Sequence, residues 1–135
     1  MRGQVHHIDL TVRDPTAALA FYEPFLGYLG YRLKDTHDRG YDFELGSGQA
    51  LSSVGLVKAT GEGAGRGHDR YSPGLHHLAF RAASRGDVDA LHARMVEAGA
   101  VVLGAPADYP QYGEGYYAVF FADPDGLKLE YVHKP

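Results

Sequence analysis

Polar and hydrophobic residues alternate in the segment V-H-H-I-D-L-T-V at residues 5–12. Ile8 and Leu10 fall on one face of an extended chain, and His7 and Asp9 fall on the other. The segment therefore predicts a strand with one buried face, and it places His7 and Asp9 on the polar face.

A helix is predicted next, because Asp14-Pro15 supplies an N-cap and a first-turn proline. The apolar residues that follow recur at helical spacing: Ala18, Phe21, Tyr22, Phe25 and Leu26. We expect Pro24 to kink or break this helix, and Gly27 and Gly30 to close it. Three β-prone runs follow at 31–34, 41–45 and 51–58, so the first half is predicted to be βαβββ.

The second half repeats this order after a glycine-rich connector at 61–74. A strand is predicted at 76–82, a helix from about 87 to 98 with Gly99 as its stop, and strands near 101, at 116–121 and at 127–133. His77 follows His7 by 70 residues (77 − 7), about half the chain, so the two histidines mark equivalent positions of an internal repeat. We expect one domain over 1–135, with a first module at about 1–60, a linker at about 61–74 and a second module at about 75–135.

Composition narrows the possible partners and chemistry. The chain has 17 acidic and 13 basic residues and no long basic run, which disfavours a nucleic acid partner. It has no apolar run near the ~20 residues of a membrane helix and no evident signal peptide, so we expect a cytoplasmic protein without a membrane partner. It has no cysteine, so a metal would need His, Asp or Glu ligands.

Strand alternation brings three such ligands to comparable faces. In H-H-L-A-F-R-A, His77 lies opposite the face of Leu78, and in L-K-L-E-Y-V-H, Glu130 lies opposite the face of Leu129. His7, His77 and Glu130 are therefore candidates for a site of two imidazoles and one carboxylate, which binds a divalent metal and leaves positions open for substrate.

The whole chain resembles the vicinal oxygen chelate superfamily, which includes glyoxalases, extradiol dioxygenases, and fosfomycin- and bleomycin-resistance proteins. The resemblance rests on H-H-I-D-L-T-V-R-D, on L-H-H-L-A-F and above all on Y-Y-A-V-F-F-A-D-P-D-G-L-K-L-E. It implies an α+β fold in which two βαβββ modules form a half-open barrel. It also implies that His7, His77 and Glu130 bind one divalent metal ion, which could be Zn, Ni, Mn, Mg or Fe(II).

Departures from the subfamily patterns keep several activities open. Glyoxalase I has a fourth metal ligand, a Glu on the last strand of the first module. This chain reads A-L-S-S-V-G in that region, which places Ser52 or Ser53 at the position of the Glu. Extradiol dioxygenases have a Tyr where this chain has Phe120, although Tyr116 or Tyr109 could replace it. Fosfomycin-modifying enzymes have a small hydroxyl residue in place of Asp9, whose charge would repel a phosphonate.

The resemblance favours a metal-dependent enzyme of the glyoxalase type, a lyase, isomerase or group-transfer enzyme that chelates a small oxygenated substrate. The alternatives are an Fe(II) extradiol dioxygenase and a metal-free drug-binding protein of the bleomycin-resistance type. We assign Asp9 and Tyr116 as candidate catalytic residues. The loop at 105–115 is expected to border the site, and the family implies a homodimer. His6 and His76 are expected to be structural or surface residues.

Overall fold

The computed structural model describes residues 2–135 and divides the chain into two units, one that ends at Arg66 and one that spans Gly67–Pro135. The first unit has the order βαβββ, as predicted. Its elements are β1 (His7–Val12), α1 (Pro15–Tyr28), β2 (Arg32–His37), β3 (Gly40–Leu45) and β4 (Ser52–Lys58).

Helix α1 begins at the predicted cap. The carboxylate of Asp14 accepts hydrogen bonds from the backbone N–H groups of Thr16 at 3.1 Å and Ala17 at 3.3 Å. The helix continues to Tyr28, so the expected break at Pro24 does not occur. A buried face of four large side chains outweighs the local cost of the proline, ~3 kcal/mol; these are Phe21, Tyr22, Phe25 and Leu26.

The sheet of the first unit has the strand order β1-β4-β3-β2. Strands β1 and β4 are parallel, and the other neighbouring pairs are antiparallel. Helix α1 packs against β2, β3 and β4. Leu10 and Val12 are buried, which confirms the predicted inner face of β1. Gly40 opens β3 at φ +153°, where a Cβ atom would lie 1.7 Å from the carbonyl oxygen of Leu56, so only glycine fits this position.

The second unit repeats the order. Its elements are β5 (His77–Arg81), α2 (Arg85–Glu97), β6 (Val101–Asp108), β7 (Tyr117–Ala122) and β8 (Lys128–His133). They form a sheet of order β5-β8-β7-β6, and α2 packs on β6, β7 and β8.

Helix α2 begins earlier than the sequence pattern indicated. Ser84 is its N-cap and accepts the backbone N–H of Asp87 at 3.1 Å, while the Asp87 carboxylate accepts the N–H of Ala83 at 3.0 Å. This reciprocal arrangement resembles a capping box and starts the helix at Arg85 rather than near Asp87. Gly99, at φ +79°, closes the helix as predicted.

The predicted loop at 105–115 is partly wrong, because β6 extends to Asp108 and a 3₁₀ turn follows at Pro110–Tyr112. Pro106 is compatible with the strand because β6 is the edge of its sheet and its pairing with β7 is irregular between Gly104 and Ala107. Tyr109 and Tyr112 therefore follow directly from a strand of the sheet.

The architecture confirms the predicted fold class, an α+β protein of two βαβββ modules, each with an open four-stranded mixed sheet. Among residues 2–135, no helix is both long and apolar enough to cross a bilayer.

Candidate functional site

The second unit brings three of the predicted site residues together. His77 on β5 places its Nε2 atom 3.1 Å from Oε2 of Glu130 on β8. Tyr116, immediately before β7, donates its hydroxyl hydrogen to Oε1 of the same carboxylate. All three side chains line one cavity of about 290 Å³, which we call the His77 cavity; its other lining residues are His76, Tyr112, Phe120 and Lys128.

Glu130 is held in this cavity by its place in the sheet. Strand β8 lies between β5 and β7, and Glu130 pairs with Ala79 on one side and Phe120 on the other. Its side chain is only 3% exposed, so the carboxylate is removed from solvent and depends on its protein partners. Sequence alternation predicted the face of Glu130 but not this burial.

The turn before β8 fixes where the strand begins. Asp123, in the D-P-D-G sequence, is buried, and its Oδ1 accepts the backbone N–H groups of Asp125 and Leu127, each at 2.8 Å. Gly126 has φ +88°, which favours glycine. The D-P-D-G turn, part of the motif on which the family resemblance rests, therefore fixes the start of β8 and with it the position of Glu130.

Each histidine pair has the same internal geometry. The Nδ1 atoms of His76 and His77 are 2.8 Å apart, and those of His6 and His7 are 3.0 Å apart. The rings of each pair are edge to face. In each pair, the Nδ1 atom of the second histidine thus contacts the first histidine, and its Nε2 atom is left for other partners. This contact orients the ring of the second histidine.

Desolvation and neighbouring charges shift two pKa values at the site. Burial, and then the hydrogen bond to Glu130 and its negative charge, raise the pKa of Tyr116 well above the usual range. Partial desolvation, and then the positive charge of His77, Lys128 and Arg70, lower the pKa of His76. Tyr116 is therefore a protonated hydrogen-bond donor at neutral pH, and cations gather on the His76 side of the cavity.

The His77–Glu130 pair fits two positions around a metal ion. Ligands at ~2.0–2.2 Å from a common ion are separated by roughly 2.8–3.1 Å in octahedral geometry and roughly 3.3–3.6 Å in tetrahedral geometry, and the two atoms here are 3.1 Å apart. No group of three or more His, Asp or Glu side chains suited to one ion occurs among residues 2–135. The second unit thus contains two of the three predicted metal ligands, His77 and Glu130.

The other two predicted residues lie in the first unit, on the same face of β1. His7 contacts His6, as described, and Asp9 lies over Gly55 of β4. A Cβ atom on Gly55 would lie 2.3 Å from Oδ1 of Asp9 and 3.0 Å from Oδ1 of Asp42. Glycine at this position therefore makes room for two neighbouring carboxylates.

Strand register corrects the position expected for the fourth ligand. Ala79, two residues after His77, pairs with Glu130, and Asp9, two residues after His7, pairs with Gly55. The equivalent of Glu130 in the first unit is therefore Gly55, not Ser52 or Ser53. The expectation that this position lacks a carboxylate still holds, since glycine has no side-chain ligand atom.

Tyr112, in the loop that we expected to border the site, lines the His77 cavity from the 3₁₀ turn. Arg70, which lines a neighbouring cavity, was missed from the sequence as a functional candidate, because it lies in the connector for which we predicted only flexibility. No period or motif marks Arg70. The contact of His76 with His77 was signalled only by the doubled histidine.

Comparisons with known proteins identify the family of the chain. Residues 4–131 match the model of the Glyoxalase/Bleomycin resistance protein/Dioxygenase superfamily. The chain belongs to this superfamily. The uncharacterised protein YqjT of Bacillus subtilis is 33% identical over 128 residues, covering 95% of this chain and 97% of its own length. The uncharacterised protein PA2024 of Pseudomonas aeruginosa is 32% identical over 133 residues, covering 98% of this chain and 90% of its own.

Solved structures of superfamily members show the same fold. A protein of Bacillus halodurans, provisionally named a glyoxalase, has a TM-score of 0.82 at 31% identity, with 98% of this chain and 97% of that one covered. Lactoylglutathione lyase of Agrobacterium tumefaciens has a TM-score of 0.64 at 21% identity, with 97% and 93% covered. The superfamily includes many enzymes, and its members commonly use a divalent metal.

Proposed function

We propose that this superfamily member is a metal-dependent enzyme of the glyoxalase type, which acts on a small oxygenated substrate by chelation of two vicinal oxygens. The observation that supports it most is the His77–Glu130 pair, in which two donors 3.1 Å apart face one cavity and share it with a tyrosine hydroxyl. A carboxylate buried to this degree is costly unless a partner compensates its charge.

The proposed ligands are His7, His77 and Glu130, and the proposed ion is one divalent metal. When bound, such an ion supplies Lewis-acid stabilisation of negative charge on substrate oxygens. The contact between His76 and His77 leaves Nε2 of His77 as the donor atom, since Nδ1 is already engaged.

The roles of the protein groups follow from their contacts. Tyr116 donates to Oε1 of Glu130, which fixes the carboxylate with Oε2 toward His77. Its high pKa keeps the proton on the hydroxyl, so Tyr116 orients Glu130 and can donate a hydrogen bond to an oxyanion. Asp9, which lies on the same strand face as His7, is the proposed base because it is the nearest carboxylate to that histidine along β1.

Elemental analysis tests this proposal. Protein purified without added metal, and protein dialysed against Zn²⁺, Ni²⁺, Mn²⁺, Mg²⁺ or anaerobic Fe²⁺, should retain about one ion per chain. Retention of Fe²⁺ with oxygen consumption on catechols would favour the dioxygenase alternative. Absence of stoichiometric binding of every ion would refute metal dependence and favour a drug-binding module.

We also propose that the protein is a homodimer, as the superfamily resemblance implies, and that it is cytoplasmic. Light scattering at micromolar concentration should give a mass near twice 14.7 kDa. A stable monomer would contradict this assignment.

A further inference from the structure

A second cavity of about 280 Å³ adjoins the His77 cavity within the second unit. We call it the Arg70 cavity; the residues that matter here are Arg70, Tyr109, Tyr112, Phe120 and Lys128. Tyr112, Phe120 and Lys128 line both cavities. A ligand that occupies the Arg70 cavity therefore reaches the side chains that border His77 and Glu130.

Two cations of this cavity have no anionic partner. Nε of Arg70 is buried and has no hydrogen-bond acceptor, although its guanidinium lies 5.0 Å from the centre of the Tyr71 ring. The ammonium of Lys128 lies 4.5 Å from the centre of the Phe120 ring. Within residues 2–135, neither cation forms an ion pair with a carboxylate. Arg70 and Lys128 therefore place two cations without a carboxylate partner on the lining of one cavity, and this arrangement suits an anionic ligand.

The walls of the Arg70 cavity are flat and aromatic. Tyr109 and Tyr112 stack with ring centres 5.8 Å apart at an interplanar angle of 21°, and Tyr109 meets Phe120 edge to face at 5.4 Å. Gly104 borders the same rings, and a Cβ atom there would come within 3.3 Å of both Phe120 and the Tyr109 hydroxyl. These surfaces favour a planar body over a branched one.

The charge balance selects the type of anion. In the metal-free protein, the two cavities together contain two fixed cations, Arg70 and Lys128, and one carboxylate, Glu130, which leaves a single positive charge (2 − 1) when the histidines are neutral. A carboxylate carries one negative charge and matches this value, whereas a phosphate monoester carries up to about two at neutral pH. The guanidinium also binds a carboxylate with paired hydrogen bonds.

We propose that the substrate is a small planar or aromatic molecule that carries a carboxylate. The carboxylate binds Arg70 and Lys128, the planar body lies along the tyrosines, and the oxygenated end faces His77 and Glu130. This inference rests on the proposed function for the role of that end, but anion binding in the Arg70 cavity does not require a metal.

The test uses the full chain stripped of metal with EDTA and titrated by calorimetry or by ¹H–¹⁵N spectroscopy. Benzoate is the probe, and benzamide is the uncharged control of the same shape. Benzoate should bind about tenfold or more tightly than benzamide, the difference expected for one charge-assisted hydrogen bond, and its binding should weaken with salt. Inorganic phosphate should bind more weakly than benzoate.

Variants locate the binding. Arg70→Gln and Lys128→Gln should each weaken benzoate binding about tenfold, whereas the exposed Arg66→Gln and Lys34→Gln should not change it. Equal binding of benzoate and benzamide to the unmodified protein would overturn the proposal without reference to any variant. So would tighter binding of phosphate, or unchanged affinity in both cavity variants.

The result of the benzoate test can be distinguished from the result of the metal-retention test of the proposed function. Benzoate binding in a protein that never retains a metal would support the anion site and refute metal dependence. Metal retention without discrimination between benzoate and benzamide would refute the anion site alone.

Discussion

Glu130→Gln should remove most of the stabilisation that a divalent metal gives to this protein. The substitution keeps the size of the side chain and leaves an oxygen to accept the Tyr116 hydroxyl. It removes the negative charge next to His77, which is the feature that a cation would use. The metal-free variant should therefore stay folded, with little change in its midpoint of thermal unfolding.

The expected size of the effect follows from linkage. At a free metal concentration 100 times its Kd, binding stabilises the folded protein by about 2.7 kcal/mol. For a chain of 135 residues, an unfolding entropy of ~2.1 cal/mol/K per residue converts this into a rise in Tm of roughly 10 °C. If loss of the charge weakens binding about a hundredfold, the same metal concentration stabilises the variant by only ~0.4 kcal/mol, or roughly 1.5 °C.

Differential scanning calorimetry of the EDTA-treated and metal-loaded proteins measures this difference. Glu97→Gln is the matched control, because Glu97 is exposed on α2 and the substitution is chemically identical. The control should keep the full metal-induced rise. If Glu130→Gln also keeps it, then Glu130 is not a ligand and the reasoning from strand faces is wrong. If the native protein shows no rise with any of the candidate metals, metal dependence itself is refuted.

Three further outcomes are expected from the contacts of the second unit. Tyr116→Phe should lower the free energy of unfolding by about 1–3 kcal/mol in urea denaturation, because it removes a hydrogen bond to a buried carboxylate; an unchanged value would show that solvent replaces the hydroxyl. Asp123→Ala should cost about 1–3 kcal/mol in the same assay, since two backbone N–H groups lose their acceptor. The hydrogen bonds from Arg85 lower the pKa of Asp108, so this pair stabilises the fold above the ordinary carboxyl pKa and loses that effect as the pH falls through the lowered value. NMR titration should show that pKa rising to its ordinary range in Arg85→Gln, and no rise would mean that the pair is not formed in solution.

The fold was predictable because its signals are local and repeated. Asp14 caps α1 through contacts with residues two and three positions away, and Gly99 ends α2 with a positive φ. Alternation placed Leu10 on the buried face of β1 and Glu130 on the face of β8 that lines the His77 cavity. Each of these depends only on the period of a strand or helix.

What the sequence did not reveal depends on contacts between distant residues. Pro24 is accommodated because packing of the whole helix face outweighs a local preference. Pro106 is accommodated because β6 is an edge strand, which is a property of the sheet and not of the segment. The burial of Glu130 and the presence of Arg70 and Lys128 in the lining of one cavity follow from side-chain packing, for which a single sequence has no periodic signature.

The two units share the geometry of the histidine pair and differ in the strand that supplies the neighbouring carboxylate. Each begins its first strand with a histidine pair joined through Nδ1, and in each the residue two positions further pairs with the parallel fourth strand. In the second unit that pairing is Ala79 with Glu130, so the carboxylate comes from the fourth strand. In the first unit it is Asp9 with Gly55, so the carboxylate comes from the first strand, and a side chain at position 55 would displace that carboxylate from its present place. The histidine pair thus has the same geometry in both units. The acidic and the small residue of the pairing exchange strands between the units, and this exchange distinguishes the proposed ligand Glu130 from the proposed base Asp9.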